Sequence, residues 1–100
     1  MPITRRQFEL GINDDIEEWM RQAHAFFSVR RDEAFSTSEI AQNLEADLKA
    51  GGTRDLRRGL EALERVLAIQ KRVVRGKTYY AFWHEMNPET WEEKVAGLAR

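Results

Sequence analysis

A chain of 100 residues with 42% hydrophobic and 33% charged residues has the size and balance of one globular domain. It contains no cysteine, which excludes disulfides, thiolate metal sites and a cysteine nucleophile. No apolar run is long enough to span a bilayer, and no apolar stretch follows Arg5 and Arg6 as in a secretory signal. We therefore expect one cytoplasmic domain over residues 1–100, with no membrane partner.

Charge is distributed unevenly along the chain. The net charge is −1, which by itself argues against a nucleic-acid-binding protein, because such proteins are usually basic. Residues 53–77, however, carry eight basic and three acidic side chains, so this block has a charge of +5 and the remainder −6. Whether the chain can bind nucleic acid therefore depends more on where this basic block lies in the fold than on the net charge.

The N-terminal part of the chain predicts an arm followed by a helix. Residues 1–13 show no clear hydrophobic period and are expected to form an N-terminal arm. Asn13 or Asp14 is expected to cap a first helix that runs to about Arg30, with acidic residues in its first turn. Apolar residues recur along it at the three- and four-residue spacing of an amphipathic helix. They are Ile16, Trp19, Met20, Ala23, Phe26 and Phe27.

The middle of the chain predicts a short strand and a second helix. Residues 34–35 are expected to form the strand, and Ser36 with Glu39 three residues later matches the capping box of a helix start. Apolar residues continue this second helix to Leu48, and Gly51 is expected to end it because glycine adopts the left-handed conformation easily.

A third helix, capped by Thr53, is predicted to end near Ile69 or Gln70. A narrow seam of leucines would face the core. The seam consists of Leu56, Leu60, Leu63 and Leu67. Its opposite face carries most of the arginines of the basic block.

The C-terminal part predicts a β-hairpin and one more helix. Residues 72–74 and 78–83 are rich in β-forming residues and are separated by a turn at 75–77 that contains Gly76. Asn87 as cap and Pro88 at the first helical position predict a helix over 87–99. Its apolar residues are Trp91, Val95 and Leu98, at spacings of four and three.

The order of these elements resembles the winged helix-turn-helix superfamily of DNA-binding domains over residues 14–83. Residues 36–41 look like the start of a positioning helix, 63–69 like a recognition helix running into the wing, and 75–80 like the wing tip and returning strand. The resemblance implies a mainly α, α+β fold with a three-helix core, a short β-hairpin wing and an extra C-terminal helix. One departure is the connection over 45–52, which is longer than the usual tight turn. Either the second helix is extended, or the crossing angle between the two helices is altered.

The resemblance implies that the third helix enters the major groove of duplex DNA and that the wing contacts the adjacent backbone. Arginine in the third helix would bond base edges or phosphates, and the wing cations would bond phosphates. A threonine at the helix N-terminus would also contact phosphate. The residues assigned in this way are Thr53, Arg54, Arg57, Arg58, Arg72, Arg75 and Lys77. The function implied is that of a small transcription regulator.

Two other interpretations remain open for the basic block. The arginines of the third helix would simply be solvated if Glu61 paired with Arg57 and Arg65 at i, i+4 spacing. In the second interpretation, the domain binds protein as a subunit of a larger assembly. The near-neutral net charge and the acidic segment 14–18 favour this interpretation. A continuous positive face over 54–77 would support DNA binding, whereas a face broken by Glu61 and Glu64 would support protein association.

No feature of the sequence predicts an enzyme or a cofactor. His24 and His84 are far apart in a chain without cysteine, so no metal site is expected. The aromatic run 79–83 either stacks on single-stranded nucleic acid or packs in the core and an interface, and its alternation favours packing. A homodimer would place two third helices on successive half-sites. Its interface would come from the first helix with the arm, or from Trp91, Val95 and Leu98.

Overall fold

The structure is a computed structural model and describes residues 2–46 and 52–83. Within these residues it contains helices and an antiparallel sheet, so the chain belongs to the α+β class that the sequence predicts. The elements are α1 (Arg5–Leu10), α2 (Asp14–Ser28), β1 (Ala34–Ser36), α3 (Thr37–Asn43), α4 (Gly52–Arg65), β2 (Ile69–Val74) and β3 (Lys77–Phe82). The first, second and third predicted helices correspond to α2, α3 and α4.

The three strands form one sheet in the order β1-β3-β2, with both pairings antiparallel. The predicted strand at 34–35 is confirmed, and it extends to Ser36. The predicted hairpin is also confirmed, but its turn has two residues, so that Lys77 already belongs to β3. Arg75 and Gly76 have φ values of 53° and 79°. Two successive residues with positive φ make the tight turn whose twist matches that of the flanking strands.

The core lies between the helices and one face of the sheet, and α2 and α4 contact each other closely within it. Gly59 allows this approach, because a Cβ atom there would lie 3.3 Å from the backbone nitrogen of Met20 and 3.4 Å from the backbone oxygen of Ile16. The largest fully buried side chains come from helices, strands and the turn after α4. They are Phe27, Leu10, Met20, Ile40, Leu56, Leu60, Leu63, Ile69 and Val66.

The capping hydrogen bonds predicted at two helix starts are confirmed. The Asn13 side chain accepts a hydrogen bond of 2.9 Å from the Ile16 amide at the start of α2. At α3, the Ser36 hydroxyl accepts from the Glu39 amide at 3.3 Å, and the Ser36 amide donates to the Glu39 carboxylate at 2.9 Å. These bonds from Ser36 hold the pKa of Glu39 below its usual value. Both caps stabilise the helix starts where the sequence places them.

The expected N-terminal arm over 1–13 is wrong, because this segment contains α1. Thr4 and Gln7 form a second capping box, in which each backbone amide donates to the other residue's side chain at 3.0 Å. Leu10 and Ile12 are buried in the core. The segment is therefore a short helix fixed to the domain.

The second predicted helix is too long, since α3 ends at Asn43 rather than near Leu48. Leu44 has left the helical conformation, with ψ near 2°, and Glu45 has a φ of 54°. A residue in the left-handed region stops the helical hydrogen-bond ladder. Of the two interpretations of the connection over 45–52, an extended second helix is thus excluded.

The third predicted helix is displaced at both ends. Helix α4 begins at Gly52, so Thr53 lies in its first turn rather than at its cap, and it ends at Arg65 rather than near Ile69. Leu67, which was predicted to face the core, has a φ of 64° and is 38% exposed. The side chain of the preceding residue, Val66, is buried instead. The leucine seam therefore ends at Leu63.

The predicted helix over 87–99 and its residues Trp91, Val95 and Leu98 lie outside the described residues. In the part of the chain that the structure describes, no helix has both the length and the apolar character needed to cross a membrane.

Candidate nucleic-acid interface

The arginines of α4 lie on the face that points away from the core. Leu56, Leu60 and Leu63 are fully buried and fix the rotation of the helix about its axis. At about 100° per residue, the arginines of the first two turns then fall on the side of the helix that faces away from Gly59 and the leucines. Arg54, Arg57 and Arg58 are accordingly exposed. Together with Thr53 and Glu61 they line an open cavity of about 460 Å³.

Two of these arginines have no partner among residues 2–46 and 52–83. Arg57 and Arg58 form neither a hydrogen bond nor an ion pair there, and the Arg54 side chain, 77% exposed, has a single contact of 3.7 Å between its Nε and Asp55 Oδ1. The predicted pairs of Glu61 with Arg57 and Arg65 do not form within the same residues. The intrahelical ion pairs expected for a solvated face are thus absent from the described residues, and the arginines of α4 are exposed to solvent without them.

Arg65 differs from the other arginines of α4 because it binds the N-terminal segment. Its Nη1 donates a hydrogen bond of 3.1 Å to the backbone oxygen of Leu10, at the end of α1. A cation placed there complements the negative end of a helix. Arg65 thus has a structural contact, and its charge belongs to the α1–α4 junction.

The cations of the hairpin lie at its exposed edge and tip. Arg72 in β2 donates from Nη1 to the backbone oxygen of Lys71 at 2.8 Å. Arg75 occupies the first position of the turn, and Lys77 Nζ lies 6.0 Å from the centroid of the Tyr79 ring. All three are exposed, so the structure places every predicted wing cation at the surface.

Acidic residues interrupt the positive surface between α4 and the hairpin. Glu64 Oε2 lies 3.5 Å from Lys71 Nζ, and Glu61 lines the open cavity beside the arginines. Charges from both elements act on Tyr80. Burial raises its pKa, Lys71 and Arg57 oppose the rise, and Glu64 and Glu61 add to it. The arginines of α4 and the cations of the hairpin are therefore two patches rather than one continuous face.

The acidic segment at the start of α2 is bound within the domain. Gln7 Nε2 donates to Asp14 Oδ1 at 2.6 Å and to Glu17 Oε2 at 3.0 Å, and Arg6 forms an ion pair with Glu17. The Glu17 side chain is only 10% exposed. Two of the carboxylates that favoured a protein partner in the sequence thus bind α1 instead.

The aromatic run of β3 packs mainly inward. Tyr80 is 5% exposed, and Phe82 packs against the core, as its alternation predicts. His24 is also buried, with its ring centroid 6.3 Å from that of Phe82, whereas His84 lies outside the described residues. Among the residues that the structure describes, no three side chains of the metal-ligating types come together.

Sequence reasoning missed the residues that fix the two ends of α1. Thr4 and Gln7 have the same spacing as Ser36 and Glu39, so the capping-box pattern was present in the sequence. The contact of Arg65 with Leu10 joins residues 55 positions apart, and no local pattern could have found it.

Comparisons with protein-family models, with curated proteins and with solved structures return no match to this chain. Its function is therefore argued from the geometry of its own residues.

Proposed function

We propose that the chain is a winged helix-turn-helix domain that binds duplex DNA as a small, non-enzymatic transcription regulator. The order of α2, β1, α3 and α4 followed by the β2–β3 hairpin supports this proposal, as does the pairing of β1 with β3. In such a domain α4 would enter the major groove, and the hairpin would contact the DNA backbone.

The observation that carries the proposal is the exposure of Arg57 and Arg58 on α4 without a hydrogen bond or ion pair in residues 2–46 and 52–83. A guanidinium group bonds guanine edges in a bidentate manner and also bonds phosphate. Because the buried leucines of α4 fix its orientation, these two cations are held on one surface. Such pre-positioned charge supports binding to a polyanion.

The hairpin supplies a second, separate contact in this proposal. Arg72, Arg75 and Lys77 are exposed on two strands joined by a tight turn. Phosphate contacts of this kind add affinity that falls with salt but carry no sequence information. The acidic gap at Glu61 and Glu64 would then lie between two contact regions.

The experiment is a fluorescence-anisotropy titration of a random-sequence duplex across a salt series. We compare the wild type with Arg57→Ala/Arg58→Ala, and with Ile3→Glu/Val29→Glu, a control that lowers the net charge by the same two units at exposed positions away from α4. We expect affinity to fall with salt, the α4 variant to lose at least about tenfold, and the control to stay within about threefold. Circular dichroism establishes that each variant is folded.

Absence of salt-dependent binding, or equal losses in both double variants, would overturn the proposal. Selection from a random DNA library then measures sequence preference, which a purely electrostatic binder lacks.

A protein-association module is the second proposal, and the break at Glu61 and at the Glu64–Lys71 pair favours it. This alternative predicts that a folded chain shows no salt-dependent DNA binding.

The homodimer expected from the sequence is a separate prediction, which sedimentation equilibrium of the full chain tests.

A further inference from the structure

The two faces of the sheet differ in what they contact. The alternation of side chains along the strands places Phe35, Tyr80 and Ile69 on the inner face, toward the core. We call the opposite side the outer face. Its residues are Ala34, Gln70, Arg72, Val74, Tyr79 and Ala81.

The outer face has an apolar depression. Ala34 and Ala81 are directly paired across β1 and β3, and their short side chains leave a cavity of about 390 Å³ beside Tyr79. Val74, at the hairpin end of the same face, is 53% exposed. A cavity of this size accepts a large apolar side chain. An exposed apolar surface of this kind commonly marks a docking site.

We propose that the outer face is the docking surface for residues 84–100 of the same chain. This segment follows directly after Trp83, at the end of β3. Since β3 is the middle strand of the sheet, the chain leaves midway between the two edge strands, at the end of the sheet away from the hairpin turn. The covering segment therefore needs no long connection.

The sequence of the segment matches the surface in size and in apolar pattern. Trp91, Val95 and Leu98 recur at the spacing of one helical stripe, and such a stripe supplies apolar side chains for an apolar depression. A helix over 87–99 would be about 20 Å long and about 10 Å wide. Strands β2 and β3 of the outer face, with six residues each, have about the same length.

The charges of the two parts are also complementary. Residues 84–100 contain four glutamates against one lysine and one arginine. The outer face contributes Arg72, and Arg75 and Lys77 lie at its hairpin end. Carboxylates beside the stripe would therefore meet cations at the margin of the apolar depression.

Size argues for the chain's own segment rather than a second copy. A stable dimer buries about 800 Å² on each partner. The apolar depression of the outer face is lined by seven residues, far fewer than the roughly 20–30 that such an interface places on each side. A segment already tethered to β3 requires far less area, because its effective concentration is high.

The test is NMR on the full, isotope-labelled chain without DNA, so its outcome is independent of the proposed function. We expect nuclear Overhauser effects between the Trp91 indole protons and the methyl groups of Ala81 and Val74. A sample mixed in equal parts from labelled and unlabelled chains separates contacts within one chain from contacts between two. Absence of these effects overturns the proposal, and effects seen only between chains assign the face to a second copy.

A variant provides a second readout. Trp91→Ala should shift the methyl resonances of Ala34, Val74 and Ala81 and leave those of Val73, on the opposite face of β2, unchanged. Equal shifts on both faces, or none, contradict docking on the outer face. This comparison remains valid if the substitution lowers stability, because it is read from the folded species alone.

Discussion

Charges at the start of α2 are bound inside the molecule, whereas charges on the outward face of α4 are left to solvent. Glu17 is largely buried and binds both Arg6 and Gln7 of α1. Arg57 and Arg58, by contrast, are exposed and form no ion pair within the described ranges 2–46 and 52–83. Both regions look alike in the sequence, as short runs of like charge near the start of a helix.

The contrast shows that the contacts of charged side chains, and not their sequence, decide whether they stabilise the fold or remain available for binding. A buried ion pair is costly to break, because the remaining charge is stranded in a poorly solvated place. An exposed cation contributes little to folding and remains available for binding. The first region should therefore determine stability, and the second should determine recognition.

The largest expected effect separates these two roles. Arg6→Ala should lower the free energy of unfolding by about 2 kcal/mol, because it removes the nearer of the two cations of the largely buried Glu17 carboxylate and leaves only Arg21 at 3.7 Å. Arg57→Ala should change it by less than about 0.5 kcal/mol and instead weaken duplex binding. Urea unfolding and anisotropy titrations of both variants measure the contrast. Similar stability losses in the two variants would contradict it.

The next effect tests the contact that holds the two regions together. Gly59→Ala places a methyl group against the backbone of α2 at Met20 and Ile16. The crowding costs about 2 kcal/mol, offset by up to about 1 kcal/mol of helix propensity, for a net loss near 1 kcal/mol. Thermal unfolding measures it, with Glu61→Ala on the exposed face as a control that should be nearly neutral. A Gly59→Ala variant with a higher melting temperature than the wild type would show that α2 moves aside to accommodate the methyl group.

A smaller effect separates charge from backbone conformation in the hairpin. Arg75 has positive φ, where asparagine is better tolerated, so Arg75→Asn should stabilise the turn by up to about 1 kcal/mol. The same change removes a cation and should weaken DNA binding at low salt. Gly76→Ala, which keeps the charge but strains the turn, should instead lower stability. An Arg75→Asn variant that unfolds more easily would contradict this assignment.

The smallest effect compares the two capping boxes. The folded pKa of Glu39 is lowered, so the stabilisation from its carboxylate is present above the usual value of 4.5 and is lost as pH falls through the folded pKa. Glu39→Gln should therefore lower the Tm at neutral pH, and the difference from wild type should shrink in acid. The Thr4 hydroxyl of the first box does not ionise and accepts only from the Gln7 amide, so Thr4→Ala should cause a loss of Tm without this pH dependence. A constant Tm difference for Glu39→Gln would contradict the prediction.

Elements with a long apolar period were predictable from the sequence, and so were those with a local signature. Helix α2 has six apolar residues in one stripe, and Asn13 caps it where expected. The hairpin was indicated by β-forming runs around Gly76. In both cases the decisive interactions join residues that are near in sequence.

The errors arose where distant contacts decide the structure. Helix α1 has only six residues, too few to show a period, and it is held by Glu17 and Arg65 from other elements. Leu67 continues the leucine spacing of α4, yet the backbone turns at this residue so that Ile69 can begin β2. The exposure of the α4 arginines was predictable from that spacing, but the pairing of Glu64 with Lys71 across two elements was not.

The close approach at Gly59 also bears on how the domain opens. Because the α2 and α4 backbones meet there with no side chain between them, neither helix can move away without exposing the other. Amide hydrogens of the two helices should therefore exchange with solvent in one cooperative event, at the slow rate of global unfolding. The hairpin tip around Arg75 and Gly76, which is exposed, should exchange much faster.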